Sequence, residues 1–226
     1  MFGSGRSGRG IVFETVVGEE LVKDMGRFEE SVKRSVDLLS SALGLILISP
    51  LLLFIALAIK LDSPGPIFYR GVRIGRYGKP FRIWKFRSML VGSDSLGGTT
   101  GKNDPRVTRI GKFLRRYKVD ELPQLMNVLT GDMSLVGPRP ELDEHTSAYE
   151  GEEKLILSVR PGITDYASVE FRNLNELVGS EEPHRVFIEK FRPEKNRLRL
   201  AYVKQQSLLE DMKILFKTLN CVILRR

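Results

Sequence analysis

The chain has 226 residues and a mass of 25.6 kDa, which favours one domain with an appended segment over two full domains. Apolar residues make up 42% of it and charged residues 28%, so wholesale disorder is excluded. One cysteine and two histidines exclude a disulfide scaffold and a cysteine-rich zinc module. The net charge of +8 favours an anionic partner: nucleic acid, a phosphorylated ligand or lipid headgroups.

Residues 1–30 form the first predicted segment, a disordered or weakly ordered tail that begins rich in Gly, Ser and Arg. Residues 31–61 follow as a predicted membrane anchor, because Leu38–Ile59 is a run of 22 residues without a charge. At about 1.5 Å per residue, such a helix reaches ~33 Å, enough for a hydrocarbon core of roughly 30 Å. The late start and the length of the run argue against a cleaved signal peptide.

Ser49-Pro50 lies in the middle of this apolar run. A proline there removes one helical hydrogen bond, so the sequence predicts a kink or break, and a nearby serine hydroxyl can satisfy a freed backbone group. Cations flank both ends of the run, with Lys33 and Arg34 before it and Lys60 after it. Because cations favour the cytoplasmic side, a bent helix that enters and leaves on that side fits both flanks. One kinked span with an outer N-terminus fits about as well, and the pattern alone leaves both open.

Residues 62–226 form the predicted body of the protein, of fold class α+β and mainly helical. Alternating runs predict strands at Ile67–Arg70 and Phe81–Phe86, and helical periodicity predicts helices at Ile110–Tyr117, Leu122–Leu129, Glu150–Ser158, Arg185–Phe191 and Leu198–Ile223. Val91–Asn103, rich in Gly, Ser and Thr, is predicted to be a mobile loop. The last helix is amphipathic; it packs in the core or lies on the membrane surface, and core packing is the safer expectation.

Charge is distributed unevenly along this body. Asp62–Val119 carries 14 basic residues against three acidic ones, whereas Asp120–Glu189 carries five against 15. The basic stretch either lines an anion site or forms a solvated face, and charge alone favours neither.

Asp120 and Glu121 stand at the edge of the basic stretch, directly after Arg115, Arg116 and Lys118. An isolated acidic pair at a helix start would be interpreted as capping charge. Beside a basic cluster, the pair can instead hold a phosphoryl group and a divalent metal, with one carboxylate as nucleophile.

Arg139 lies between two prolines, in a rigid loop after Gly137. That setting would hold its guanidinium in one orientation for a bidentate phosphate contact. A purely structural arginine is the alternative interpretation.

Longer blocks carry a family resemblance. They are, in chain order, Lys33-Arg34 with Asp37, Ser49-Pro50, Asp62–Phe68, Lys85–Met89, Asp120–Leu125, Asn127–Leu129, Gly131–Pro140 and Val159–Thr164. From about Ser31 to the C-terminus, the chain resembles the bacterial sugar transferases that are monotopic phosphoglycosyl transferases, in a minimal catalytic-domain form. The resemblance implies transfer of a sugar phosphate from a nucleotide sugar, expected to be a UDP-sugar, to polyprenyl (undecaprenyl) phosphate with release of UMP. That reaction is the first membrane step of bacterial glycan assembly, for exopolysaccharide, O-antigen, capsule or glycoprotein.

The resemblance also implies residue roles. Asp120 matches the nucleophile that takes the phospho-sugar covalently, and Glu121 matches its catalytic partner, with both carboxylates near a Mg²⁺ cofactor. The phosphate-binding side chains would be Arg115, Arg139, Lys85 and Arg87. The re-entrant, helix–break–helix membrane anchor would include Lys33, Arg34, Asp37, Ser49 and Pro50.

The resemblance further implies a monotopic protein of the bacterial inner membrane whose body, residues 62–226, faces the cytoplasm at the membrane interface. Its expected partners are the nucleotide sugar, the polyprenyl phosphate and membrane lipid, without nucleic acid, and a homodimer is a candidate assembly.

Three points stay open: the donor sugar and two alternative functions. Asp165–Ser168 stands where many family members continue with Gly, Trp and Gln, so the donor sugar stays open. A membrane-bound nucleotide-sugar hydrolase would use the same chemistry with water as acceptor. A non-enzymatic binder of anionic lipid or nucleic acid would use the basic stretch alone, although Asp120 and Glu121 would weaken its affinity for anions.

Overall fold

The computed structural model describes residues 25–93, 104–179 and 182–223. Its α-helices are α1 (Arg27–Asp62), α2 (Arg109–Tyr117), α3 (Leu125–Thr130), α4 (Asp143–Thr146), α5 (Tyr166–Glu170), α6 (Leu174–Leu177), α7 (Pro183–Val186), α8 (Arg192–Gln205) and α9 (Leu208–Ile223). Short 3₁₀ helices cover Arg76–Gly78, Val119–Gln124 and Gly151–Ser158, and a π-helical turn covers Phe187–Phe191. The strands are β1 (Phe68–Tyr69), β2 (Val72–Ile74), β3 (Pro80–Arg82), β4 (Lys85–Phe86), β5 (Ser134–Val136) and β6 (Gly162–Thr164). The body is therefore mainly helical α+β with short strands, as the sequence predicts.

The long apolar helix α1 runs through Pro50 as one helix of 36 residues rather than as two helices separated by a break. Pro50 has no N–H to donate to the carbonyl of Ile46, four residues earlier. The hydroxyl of Ser49 donates to that carbonyl instead, at 2.8 Å. The predicted satisfaction of a freed backbone group by a serine is thus present, and it keeps the helix hydrogen-bonded at the proline.

The N-terminal end of α1 is fastened to the body by charged side chains. Lys33 donates to the carbonyl of Val136 at 3.1 Å and pairs with the buried carboxylate of Asp211. Asp37 accepts a hydrogen bond from the backbone N–H of Leu135 at 3.0 Å. Residues of the predicted anchor therefore bind the body as well as flanking the apolar run.

The C-terminal end of α1 is fastened to the same body by apolar packing. Ile55 and Ile59 are buried in one cluster with Phe86 of β4 and Leu114 of α2. Asp62, the last residue of α1, accepts a hydrogen bond from the N–H of Ile110 at 3.1 Å, in the first turn of α2.

Between these two attachments α1 exposes a long apolar surface. Its exposed members are Leu39, Leu43, Ile46, Leu47, Leu51, Leu53, Phe54, Leu57 and Leu61. Among the residues that the structure describes, α1 is the one helix long and apolar enough to cross a membrane. Because this surface is exposed rather than packed in a core, it is suited to contact with a membrane.

In the described part of the chain the strands form three two-stranded sheets. β1 pairs with β4 and β2 with β3, both antiparallel, and β5 pairs with β6 in parallel. In the parallel pair Ser134 lies opposite Gly162, and Val136 lies opposite Thr164. Both predicted strands are shorter than expected, and the second is divided between β3 and β4.

The C-terminal segment forms two helices, so the prediction of one helix over Leu198–Ile223 is wrong. α8 ends at Gln205, and the Ser207 hydroxyl accepts a hydrogen bond from the N–H of Glu210 at 3.2 Å, which caps the start of α9. Tyr202, Val203 and Ile214 pack in a core cluster, as expected, with Val136 and Val159. The outer face of α9 keeps its apolar side chains exposed: Leu209, Met212, Phe216 and Leu219.

Other expectations hold to different degrees. The helix predicted at Ile110–Tyr117 is α2, and the one predicted at Leu122–Leu129 is a 3₁₀ helix followed by α3, ended at Gly131 with φ 91°. Glu150–Ser158 is 3₁₀ rather than α-helical, and Arg185–Phe191 is part α-helix and part π-helical turn. Most of the predicted tail and residues 94–103 of the predicted loop lie outside the described residues.

Candidate active site

The two acidic residues lie on a sharp turn between α2 and a 3₁₀ helix. α2 ends at Tyr117. The next residue, Lys118, adopts a left-handed conformation with φ 58°, and the 3₁₀ helix of Val119–Gln124 starts directly after it. The Lys118 N–H closes the preceding turn on the carbonyls of Leu114 and Arg115. Asp120 and Glu121 thus follow immediately on the basic last turn of α2.

Glu121 is held by two cations from distant parts of the chain. Lys85 of β4 donates to its Oε1 at 3.0 Å, and Arg139 donates to its Oε2 at 2.9 Å and also to its Oε1. Burial would raise the pKa of the Glu121 carboxyl, but Arg139 and Lys85 hold it well below its usual range. Glu121 is therefore ionised, and its carboxylate oxygens hold both cations in position.

Unlike Glu121, Asp120 forms no ion pair with the residues that the structure describes. It is 7% exposed, and its Oδ1 is buried without a hydrogen-bond partner among the described residues. Burial raises the pKa of the Asp120 carboxyl and the Glu121 carboxylate raises it further, while Lys85 and Arg115 oppose both. A carboxylate that is more basic than usual and not occupied by an ion pair is suited to nucleophilic attack or metal binding.

Arg139 is placed by a close approach of the loops at one end of the β5–β6 pair. Gly137 donates to the carbonyl of Thr164 at 3.0 Å, and Gly162 donates to the carbonyl of Pro138 at 3.0 Å. A Cβ on Gly162 would lie 2.1 Å from the nitrogen of Gly137, so the approach requires glycine. The Arg139 N–H then donates to Asp165 Oδ2 at 3.0 Å.

A buried ionic cluster supports this loop from behind. Asp165 is fully buried, and Arg199 of α8, 1% exposed, approaches its Oδ2 with Nε at 3.6 Å. The same guanidinium pairs with Glu141 at 2.5 Å, directly after the loop. The sequence pattern does not indicate this cluster, because Arg199 meets its partners only through the packing of α8 and stands in that helix like any other arginine.

Arg115 joins the site and Arg87 does not. Arg115 donates from Nε to the Ser88 hydroxyl at 2.9 Å, and burial lowers the pKa of its guanidinium while the Asp120 carboxylate raises it. Arg87 instead donates to the carbonyls of Ser63 and Pro64, where it fastens the turn that leaves α1. The phosphate-binding role expected for Arg87 therefore has no support from its position in this structure.

The apolar cluster that holds the C-terminal part of α1 adjoins the site. Lys85 precedes Phe86, and Arg115 follows Leu114, the two side chains against which Ile55 and Ile59 of α1 pack. The cations of the site are thus one residue away from the contact with the anchor.

The two carboxylates fit a magnesium ion in part. No cluster of three or more His, Cys, Asp or Glu side chains forms a metal cage in the described ranges 25–93, 104–179 and 182–223. Mg²⁺ is commonly held by one or two carboxylates together with waters and substrate phosphates, so a full cage is not required. The unpartnered Oδ1 of Asp120 is an oxygen ligand of the right kind, whereas both oxygens of Glu121 already accept hydrogen bonds.

The chain is similar to known proteins over most of its length. A family model described as bacterial sugar transferase matches residues 28–225. The UDP-glucose:undecaprenyl-phosphate glucose-1-phosphate transferase of Escherichia coli is 44% identical over 193 residues, covering 83% of this chain and 39% of that protein. The UDP-N-acetylgalactosamine-undecaprenyl-phosphate N-acetylgalactosaminephosphotransferase of Aeromonas hydrophila is 38% identical, covering 85% of this chain and 44% of that protein.

A third relative is similar in extent to this chain. The exopolysaccharide production protein PSS of Rhizobium leguminosarum bv. phaseoli is 41% identical over 199 residues, covering 83% of this chain and 92% of that protein. By contrast, the chain spans only about two fifths of the two named transferases. Because the family model matches almost the whole length of the chain, the chain belongs to the bacterial sugar transferase family.

Proposed function

We propose that the chain transfers a sugar 1-phosphate from a UDP-sugar to undecaprenyl phosphate and releases UMP. The observation that carries this is the contrast within the acidic pair: Glu121 holds two cations, while the Oδ1 of Asp120 is left without a partner among the described residues. The names of relatives from Escherichia coli and Aeromonas hydrophila support the choice of donor and acceptor.

The proposed first step is attack by Asp120 on the phosphorus that carries the sugar. A bond forms between a carboxylate oxygen and this phosphorus, and the bond from phosphorus to the bridging oxygen breaks, so that UMP leaves with that oxygen and its electron pair. The enzyme then carries an aspartyl phospho-sugar. In the second step a phosphate oxygen of undecaprenyl phosphate attacks the same phosphorus, and the Asp120 carboxylate is released.

The cations of the site would stabilise the charge that develops in both steps. Lys85, Arg115 and Arg139 supply three positive charges against the two carboxylates, which leaves the site attractive to a diphosphate. Glu121 positions Lys85 and Arg139 before substrate arrives. A Mg²⁺ held by Asp120 and, after rearrangement, Glu121 would supply further neutralisation of phosphate charge.

We further propose that α1 is a monotopic anchor in the bacterial inner membrane, with the body in the cytoplasm. The contacts of Lys33 with Val136 and of Ile59 with the Phe86 cluster fasten both ends of α1 to one body. Both ends therefore lie on one side of the bilayer, and the basic flanks favour the cytoplasmic side. Bending at Pro50 would let the apolar middle enter the membrane more deeply, as in a re-entrant helix.

The topology is tested by cysteine labelling in cells, on a Cys221→Ser background. Cysteines introduced at Gly26 and Pro66, which flank α1, should both resist a membrane-impermeant maleimide added from the periplasm and react in inverted vesicles. Labelling of the position 26 cysteine from the periplasm would establish a spanning helix instead.

The activity is tested with purified protein, Mg²⁺ and a panel of UDP-sugars, with and without undecaprenyl phosphate, by measuring UMP. Multiple-turnover release that requires both a donor and the lipid is the expected result. Equal turnover without the lipid would identify a hydrolase. Absence of UMP release with every donor, in protein that still binds membranes, would favour the binding role.

A further inference from the structure

A second charged site lies beside Ser134, the first residue of β5. It is a cavity of about 240 Å³ between the N-terminal part of α1 and the body. The polar side chains that line it include Glu30, Lys33, Arg34, Arg76, Ser134 and Arg160. None of these side chains belongs to the site formed by Asp120, Glu121, Lys85, Arg115 and Arg139.

The cavity has more positive than negative charge. Lys33, Arg34, Arg76 and Arg160 line it, against the carboxylates of Glu30 and Asp37. A third acid outside the lining, the Asp211 that pairs with Lys33, still leaves one positive charge over.

The arginines are incompletely balanced by these acids. Arg76 and Arg160 share one carboxylate oxygen, Oε1 of Glu30, at 2.6 and 3.3 Å. Arg34 donates to the carbonyls of Val128 and Leu129 at 2.7 and 3.1 Å, and in the described part of the chain it forms no ion pair. Such an arrangement leaves room for a further acceptor that carries negative charge.

Ser134 gives an independent sign of a missing ligand. The residue is fully buried, it lines the cavity, and its Oγ has no hydrogen-bond partner among the described residues. A buried hydroxyl without a partner costs about 1–3 kcal/mol, so native structures seldom keep one unless water or a ligand meets it.

The position of the cavity indicates a membrane ligand. Lys33 and Arg34 lie less than two helical turns before Leu39, where the exposed apolar surface of the helix begins. A headgroup in the cavity would therefore sit beside its own acyl chains on α1. The volume is below the roughly 300–1,000 Å³ of pockets that enclose larger ligands, which suits a phosphate ester better than a whole nucleotide sugar.

We propose that this cavity binds the phosphate group of a phospholipid headgroup, at a site separate from the one that contains Asp120. Arg34 and Arg160 donate to the phosphate oxygens, and the Ser134 hydroxyl completes its hydrogen bonding on the same group. The bound lipid fixes the angle at which the body meets the bilayer. This proposal does not depend on the proposed reaction, because its test measures binding and not turnover.

The test uses the full chain in dodecyl maltoside, with dihexanoyl phosphatidylglycerol as probe and thermal unfolding as readout. Dihexanoylglycerol, which lacks phosphate, and inorganic phosphate, which lacks acyl chains, are the comparison ligands. We expect the phosphatidylglycerol to raise the unfolding midpoint with a dissociation constant well below that of either comparison. An equal response to inorganic phosphate would overturn the lipid assignment, and an equal response to dihexanoylglycerol would overturn the phosphate site.

Three variants locate the effect. Arg160→Gln should weaken binding of the phosphatidylglycerol about tenfold, because one charge-assisted hydrogen bond is lost. Ser134→Ala should weaken binding without lowering the midpoint of the lipid-free protein, since it removes a hydroxyl that has no partner there. Arg197→Gln, which changes an exposed arginine of α8, is the matched control and should bind normally. Wild-type affinity in both cavity variants, or an equal loss in the control, would refute the site.

Discussion

Arg139 donates hydrogen bonds to both carboxylate oxygens of Glu121, and so joins the loop after β5 to the 3₁₀ helix after α2. The same carboxylate accepts from Lys85 at 3.0 Å. One acid of the pair therefore holds cations, whereas the Oδ1 of the adjacent Asp120 has no hydrogen-bond partner among the described residues, which suits the nucleophilic role proposed for it.

Asp120→Asn should reduce UMP release by at least about 10³-fold, because the amide is nearly isosteric with the carboxylate but is not a nucleophile. The same change should raise the thermal unfolding midpoint near neutral pH, since it removes a buried charge beside Glu121. Asp143→Asn, at the exposed start of α4, is the matched control and should change neither quantity. Substantial transfer by the Asp120→Asn variant would remove Asp120 from the role of nucleophile.

The raised pKa of Asp120 predicts a specific pH dependence. The acid limb of kcat/KM should lie above the ordinary aspartate value of about 3.9, since attack requires the ionised form. For stability the sign is opposite: folding favours protonated Asp120, so its contribution is lost as the pH rises through the folded pKa. The stability gained by Asp120→Asn should therefore shrink as the pH falls. A gain that grows at low pH would contradict the shift.

Glu121→Gln should destabilise the fold by about 3 kcal/mol, because Lys85 and Arg139 keep their charges and lose their shared partner. It should also lower kcat/KM by about 10²-fold or more through misplaced cations. Adding Lys85→Met should recover part of the stability but none of the activity, which thermal unfolding and UMP assays would show. Glu144→Gln, at an exposed position, serves as control. Additive stability losses in the double variant would mean that the pair is not coupled.

Gly162→Ala should destabilise the protein by about 1–3 kcal/mol, because its Cβ would lie 2.1 Å from the Gly137 nitrogen. Since the displaced loop carries Arg139, we also expect kcat/KM to fall by about 10²-fold. Gly26→Ala is the control, because a Cβ there meets nothing within 4 Å. A variant that loses stability but keeps full activity would show that Arg139 does not depend on this approach.

Features of the site that depend on local spacing could be predicted from the sequence, whereas contacts that depend on tertiary packing could not. The acidic pair at the edge of a basic stretch could be found, because its spacing is local. Lys85 was expected in the site from the family resemblance alone, and its pairing with Glu121 could not be predicted, since Lys85 reaches that carboxylate only through tertiary packing. Likewise the Arg199–Asp165 contact depends on how α8 packs, and nothing in the periodicity of α8 marks that arginine.

The break between α8 and α9 did leave a local signal. Ser207 and Glu210 have the spacing of a capping box, serine followed three residues later by glutamate, which predicts a helix start. The apolar periodicity on both sides concealed it. At Pro50 the local signal predicts a kink or a break; the helix is not broken there, and a serine hydroxyl donates to the freed carbonyl.

Intact-protein mass spectrometry after exposure to the UDP-sugar donor alone would show whether Asp120 carries the phospho-sugar. We predict one added sugar phosphate per chain in the wild type, its removal when undecaprenyl phosphate is added, and no adduct in the Asp120→Asn variant. Full transfer activity with no adduct at any time, or an adduct that forms equally well on Asp120→Asn, would contradict the account.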